Sequence, residues 1–190
     1  MSVKLILTTL MLVLMLCGCS TNSNVGVDLS NVNQVQIAEG VTLQLTAPPG
    51  ALINQSKNQL LTISYQGSEN QLLTQLELTE QGLNLVAVSP QGLPLFELVF
   101  VEGQALQQKK YVEFDMLPLP YIISDIQLVY WPLVAINSAL TDAVITEHKN
   151  GKERIIKSDG NVIISIVKGS ESISYKHFQR GYQLTILPME

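Results

Sequence analysis

Apolar and polar residues alternate along most of this chain, and the alternation predicts strands. Val41-Thr42-Leu43-Gln44-Leu45-Thr46 is apolar on one face and polar on the other, and Leu61-Thr62-Ile63-Ser64-Tyr65-Gln66 and Leu76-Glu77-Leu78-Thr79 repeat the scheme. Tyr111-Val112-Glu113-Phe114-Asp115-Met116 sets Val112, Phe114 and Met116 opposite its two acids. A period of two over such runs is the pattern of half-buried strands. Gln81-Gly82, Glu102-Gly103, Asn150-Gly151, Asp159-Gly160 and Arg180-Gly181 stand between runs, where tight hairpins need positive φ. The expected fold is mainly β (α+β): one antiparallel sheet curling into a barrel or half-barrel.

Two runs are apolar on both faces. Leu95-Phe96-Glu97-Leu98-Val99-Phe100-Val101 is broken only by Glu97, and Val162-Ile163-Ile164-Ser165-Ile166-Val167 only by Ser165. Such strands are expected to be covered on both sides. A fully packed sheet and a sheet with a cavity both fit that pattern.

One segment changes period. Between Pro118-Leu119-Pro120 and Leu140, residues Ile122, Ile123, Ile126, Val129, Tyr130, Leu133 and Val134 recur every three or four positions, which predicts an amphipathic helix. Pro120 sits where a helix start tolerates proline, whereas Pro132 removes a donor and should split the helix near Trp131. A broken helix with its apolar face on a curved sheet is a natural plug or lid.

The amino terminus has its own pattern. Lys4 precedes an apolar run from Leu5 to Leu16, interrupted only by Thr8 and Thr9. The run is roughly twelve residues, within the 7–15 of a signal-peptide core and short of the ~20 that span a bilayer. It ends in Leu16-Cys17-Gly18-Cys19, followed by the polar Ser20-Thr21-Asn22-Ser23-Asn24. A large aliphatic residue, two small ones and a cysteine form a lipoprotein cleavage box. Residues 1–18 are therefore expected to be a signal and Cys19 the lipidation site. The alternative, an ordinary secretory signal with an incidental cysteine, leaves the spacing of the box and the polar stretch after it unexplained. Residues 19–33 read as a lipidated tether and 34–190 as the folded domain. Ser20, in place of the Asp that favours retention in the inner membrane, points to the periplasmic face of the outer membrane. Three acyl chains anchor far more firmly than one.

Composition narrows the function. The chain carries −5 at pH 7, charged residues are 14% of it, and no basic stripe occurs, so no nucleic-acid partner is expected. Cys17 leaves with the signal and the Cys19 thiol is acylated, which removes disulfides and thiol chemistry. His148 and His177 have no ligand at metal spacing, so neither a metal nor a cofactor is expected. No nucleophile elbow, phosphate loop or dinucleotide motif occurs, and no catalytic residue or enzymatic activity is assigned. Glu113 and Asp115 share a strand face, which reads as solvated. Asp125 stands out on an otherwise apolar helix, either as a hydrogen-bonded structural acid or as a polar contact inside a pocket.

The order of strands, proline-containing helix and strands behind a lipoprotein signal resembles LolB over roughly residues 35–188. LolB is the outer-membrane lipoprotein that receives other lipoproteins from the soluble carrier LolA. Met116-Leu117-Pro118-Leu119-Pro120-Tyr121-Ile122-Ile123 is similar to the family's Pro-x-Pro entry into its lid helix. Ser89-Pro90-Gln91-Gly92-Leu93-Pro94-Leu95-Phe96-Glu97-Leu98 is similar to its Asn-Pro-Leu-Gly loop and following strand. The stretch Tyr121–Pro132, ending in Trp131-Pro132, resembles more closely a family of lipoproteins of LolB-like character encoded beside aryl polyene pigment genes. These resemblances imply an unclosed antiparallel barrel with an apolar concave face under the helical lid, and a soluble LolA-like carrier as partner. At the position of LolB's membrane-facing leucine this chain has Gln91, and Leu93 two residues on is the candidate substitute.

The leading expectation is a carrier or acceptor of a hydrophobic ligand (lipid, acyl chain or aryl polyene) lined by Phe96, Leu98, Phe100, Ile126, Tyr130 and Trp131. An envelope protein-binding or assembly module is the alternative. A periplasmic hydrolase would need a carboxylate or Ser–His cluster that only folding could assemble.

Overall fold

A computed structural model of the chain describes residues 33–113 and 117–189. The expected signal, Cys19 and nearly all of the tether lie outside these residues, as do Phe114, Asp115 and Met116. The strands are β1 (Gln34–Ala38), β2 (Val41–Gln44), β3 (Ser56–Tyr65), β4 (Ser68–Leu78), β5 (Gly82–Val88), β6 (Pro94–Val101) and β7 (Gln107–Lys110). Two helices follow, α1 (Leu119–Tyr130) and α2 (Leu133–Ala139), and then β8 (Leu140–Thr141), β9 (Val144–His148), β10 (Glu153–Ser158), β11 (Asn161–Lys168), β12 (Ile173–His177) and β13 (Tyr182–Met189).

The fold is mainly β, with antiparallel pairing throughout and no closed barrel. Among the described residues ten strands form one sheet in the order β7-β6-β5-β4-β3-β13-β12-β11-β10-β9, with β7 and β9 at its edges. The expectation of a single sheet is corrected: β1, β2 and β8 form a separate three-stranded sheet. Pro48-Pro49 and the 3-10 turn Gly50–Leu52 separate β2 from β3 and redirect the chain, since proline has no donor for a ladder. At the β10–β11 hairpin, Asp159 and Gly160 have φ of 50° and 79°, the paired positive values of a tight hairpin turn.

Paired residues of an antiparallel sheet share a face, so the register shows what points inward. One inward row runs Glu147-Arg154-Ile166-Tyr175-Leu184-Ile63 across β9, β10, β11, β12, β13 and β3. Another runs Gln59-Thr74-Ala87-Phe96 across β3 to β6. Arg154 of β10 bonds to α1, and Phe96 of β6 lines a cavity that α1 also lines. Eight flat strands at ~4.8 Å spacing would put these two strands about 34 Å apart, far more than a helix diameter of ~10 Å. The sheet therefore curves around α1.

Neither run expected to be covered on both faces is. In β6, Phe96, Leu98 and Phe100 are buried, while Leu95, Glu97, Val99 and Val101 on the other face are half-exposed. In β11, Ile163 and Ile164 are both buried because Ile163 is the extra residue of a bulge facing Ile156 and Lys157 of β10, and Val162 and Val167 are exposed. The strand expected at Tyr111–Met116 is also corrected. The strand is β7, four residues earlier; Tyr111 and Val112 are exposed bends and Glu113 is exposed outside any regular element.

The broken helix is present, with one difference. Trp131 is extended (φ −67°, ψ 148°), as a residue before proline prefers, and α2 starts after Pro132. α1, however, is buried around nearly its whole circumference rather than on one face: Leu119, Ile122, Ile123, Ser124, Asp125, Gln127, Leu128 and Val129 are all buried. A helix buried all round is a core element. The inner faces of β1 and β2, with Val35, Ile37, Val41 and Leu43, belong to the same core, so α1 is a plug rather than a surface lid.

Candidate functional site

α1 is held by polar contacts on two sides. Toward the small sheet, the buried Gln127 side chain pairs with the backbone of Thr46 as a strand would. Its Nε2 donates to the Thr46 carbonyl at 2.9 Å and its Oε1 accepts the Thr46 N–H at 3.1 Å. Trp131 Nε1 donates to Thr46 Oγ1 at 3.2 Å. Toward the far half of the large sheet, Arg154 Nη1 donates to the carbonyls of Leu128 (2.8 Å) and Val129 (3.2 Å), satisfying acceptors that the broken helix leaves without an N–H. Arg154 Nε is itself paired with Glu147 at 2.6 Å.

Asp125 lies between these contacts. Tyr175 donates to its Oδ1 at 2.5 Å and Tyr182 to its Oδ2 at 2.7 Å. Burial pushes the carboxyl up to about 7, against the pull of the two tyrosine bonds and of the Arg180 charge. Both tyrosines are raised, by burial first and then by the Asp125 charge, so they remain donors. His177, whose ring lies 5.2 Å from that of Tyr182, bonds the Ile37 carbonyl at 2.8 Å and is pushed down to about 4 by burial. A neutral imidazole donating to a backbone carbonyl is structural.

The third side of α1 faces β3, β4, β5, β6 and β13, and there it leaves a cavity. Ile122, Asp125, Ile126, Val129 and Tyr130 form the helix wall. Gln59, Leu61, Ile63, Thr74, Leu85, Phe96, Leu184 and Ile186 form the sheet wall, and Leu117 adjoins them. The free volume is about 40 Å³, room for about three waters at ~10–15 Å³ each. Leu61, Ile126 and Tyr130 are the lining side chains that still reach solvent, and they mark the mouth. Gln59 Nε2 donates to the Tyr130 hydroxyl there.

Of the six residues expected to line a cavity, Phe96, Ile126 and Tyr130 do so. Leu98 and Phe100 share the inward face of Phe96, but the strand rise of ~3.3 Å per residue carries them past the void. Leu98 pairs with the cavity-lining Leu85 without itself reaching the void, and Phe100 pairs with Leu83. Trp131 is fully buried on the Thr46 side of the helix and is not part of the wall. Asp125 fits both of its expected roles at once, as a bonded acid and as part of the cavity wall. Gln91 and Leu93 sit in the β5–β6 loop, where Gln91 is exposed and Leu93 is 64% exposed. Cys19 lies outside the described residues. The sequence reading missed Gln59 and Thr74, polar residues among inward apolar ones. Their inward parity with Leu61 and Leu72 was the available signal.

Among the described residues no three His, Cys, Asp or Glu side chains are grouped to hold a metal ion, and no helix is long and apolar enough to cross a membrane. No curated protein matches the chain. A family described as a protein of unknown function, DUF3261, matches residues 56–190, from the first residue of β3 to the last of the chain. With more than two thirds of its length matched, including the cavity and the helix that plugs it, the chain belongs to the DUF3261 family.

Proposed function

We propose that this protein accepts a hydrophobic chain (a lipid acyl group or an aryl polyene) into the cavity between α1 and β3–β6, anchored through Cys19 to the periplasmic face of the outer membrane. The observation that carries the reading is the asymmetry around α1. Gln127, Asp125 and the Leu128–Val129 carbonyls bind the helix to Thr46, β10, β12 and β13, while the side toward β3–β6 has apolar walls and an unfilled space. Mainly apolar walls hold a chain without hydrogen bonds to it, and opening the mouth for a chain breaks only the Gln59–Tyr130 bond. A volume of about 40 Å³ admits one only when Ile126 and Tyr130 swing outward. Each methylene buried contributes ~0.8 kcal/mol, so about ten carbons offset the displacement and ordering costs and leave several kcal/mol. The resemblance to LolB supports transfer of such a chain, and the resemblance to the polyene-cluster lipoproteins supports a polyene as cargo. A soluble LolA-like carrier is the partner this reading implies.

Native mass spectrometry on the chain starting after Cys19, purified from its own envelope and followed by solvent extraction, tests the proposal. A lipid or polyene near one per protein is the expected result; a repeated apo mass in polyene-producing cells would overturn it. A second reading, an assembly module for an envelope protein, rests on the two unpaired sheet edges and on exposed Leu93, Tyr111 and Val112 close to β7. In that case a stoichiometric protein, not a lipid, copurifies.

A further inference from the structure

The geometry points to a single-chain amphiphile with an anionic head as the ligand, its head received at the cavity mouth by the Lys57 ammonium and the Tyr130 hydroxyl. This inference rests on the proposed function and names the ligand class for the same cavity. Lys57 is paired in register with Leu76, a fully buried residue, so it shares the inward face of β3 with Gln59, Leu61 and Ile63. Its Nζ lies 5.2 Å from the centre of the Tyr130 ring, at the end of the cavity where lining residues reach solvent. The ammonium donates to Gln55 Oε1 at 3.2 Å, and among the described residues no carboxylate is within ion-pair distance of it. Glu77, beside it in register, occupies the opposite face of β4 and is bonded by Gln75.

Tyr130 adds a second donor. Its hydroxyl oxygen accepts from Gln59, which leaves its own proton to give away. A cation and an O–H donor at the solvent end of a mainly apolar cavity match a carboxylate or phosphate, and the one carboxyl in the wall, Asp125, already has both oxygens bonded by Tyr175 and Tyr182. An apolar chain lying inward and an anionic head at the rim would satisfy both halves of the site. The ring under the ammonium also keeps Lys57 near the mouth, because a cation over an aromatic face is attracted to it.

The test uses the full-length lipidated protein in zwitterionic nanodiscs and three photoactivatable twelve-carbon probes: a carboxylate, a phosphate and a neutral alcohol. The readout is the ratio of anionic to neutral adducts on cavity residues, compared between wild type and Lys57→Gln, so that partitioning into the nanodisc cancels. The expected result is a ratio that falls on the order of fivefold in Lys57→Gln, the size of one half-exposed charge pair, and is kept in Lys57→Arg. The anionic probe with the larger loss identifies the head group. Equal ratios in wild type and Lys57→Gln would overturn the inference while leaving the hydrophobic cavity in place. An absence of cavity adducts with all three probes would instead sink the proposed function.

Discussion

The Tyr182 hydroxyl donates to Oδ2 of Asp125 at 2.7 Å, joining the plug helix to the last strand of the sheet wholly inside the core. With Tyr175 on the other oxygen, both carboxyl oxygens of Asp125 are bonded. A buried polar group without partners is expensive, so this carboxyl and its two tyrosines specify where the helix sits.

The pH dependence of stability follows from Asp125 and His177 together. The folded value of Asp125 is raised to about 7, so its contribution is present below its unfolded value near 3.8 and is lost as pH rises through 7. The folded value of His177 is lowered to about 4, so its contribution is present above 6.5 and is lost as pH falls through 4. Between about pH 4 and 6.5 the two slopes oppose each other, each limited to about 1.4 kcal/mol per pH unit. Asp125→Asn should therefore become more stable as pH rises across that window. His177→Gln should become less stable, and wild type should change little. Urea midpoints at pH 4.5 and 6.5 for the three proteins decide it; parallel profiles would refute the assignment.

Arg154 closes the carboxyl-terminal end of α1. Arg154→Met should cost about 3 kcal/mol, because it leaves the Leu128 and Val129 carbonyls and the Glu147 carboxylate short of a donor. Arg154→Lys should recover only part of this, since an ammonium does not reproduce the guanidinium fork. Equilibrium unfolding of both variants measures the difference.

Gly82 admits no side chain. A Cβ there would lie 1.8 Å from the Phe100 carbonyl oxygen, a backbone atom that cannot move aside within a paired strand. Gly82→Ala should destabilise by at least ~3 kcal/mol or abolish folding, seen as loss of a cooperative thermal transition. A wild-type transition would contradict the close approach of β5 and β6.

Much of the fold was legible because burial follows parity. The alternation at Val41–Gln44, Leu61–Tyr65 and Leu76–Leu78 marks real strands, and Pro132 breaks the helix where its missing N–H requires. The pattern failed where tertiary context decided the outcome. The bulge at Ile163 imitates a strand covered on both faces, and β7 with its Gln-Gln-Lys-Lys sequence has no apolar parity to read. Separation of β1 and β2 into their own sheet depends on long-range packing over α1, which also buries the helix face expected to meet solvent. At the cavity, Phe96, Ile126 and Tyr130 were readable from their apolar periodicity. Leu98, Phe100 and Trp131 show the same periodicity, but Leu98 and Phe100 lie farther along β6 and Trp131 lies on the Thr46 side of the helix, so none of them lines the void. Gln59 had only its inward parity with Leu61 as a signal, and Lys57 carried none until register put it beside Tyr130.

Filling the cavity should block uptake without unfolding the protein. Ile126→Trp places a ring at the half-exposed mouth, where overpacking is relieved outward. It should change stability by less than about 1.5 kcal/mol while reducing copurified lipid at least severalfold, measured by extraction against wild type. Undiminished lipid would place the ligand elsewhere.

The most direct test of the account is where a chain binds. A neutral photoactivatable alkyl probe, irradiated with the full-length protein and mapped by peptide mass spectrometry, should label Leu61, Phe96, Ile126 and Tyr130 and leave Leu98, Phe100 and Trp131 unlabelled. Labelling confined to Leu93, Tyr111 and Val112 would contradict the cavity and identify the exposed loop surface as the apolar contact instead.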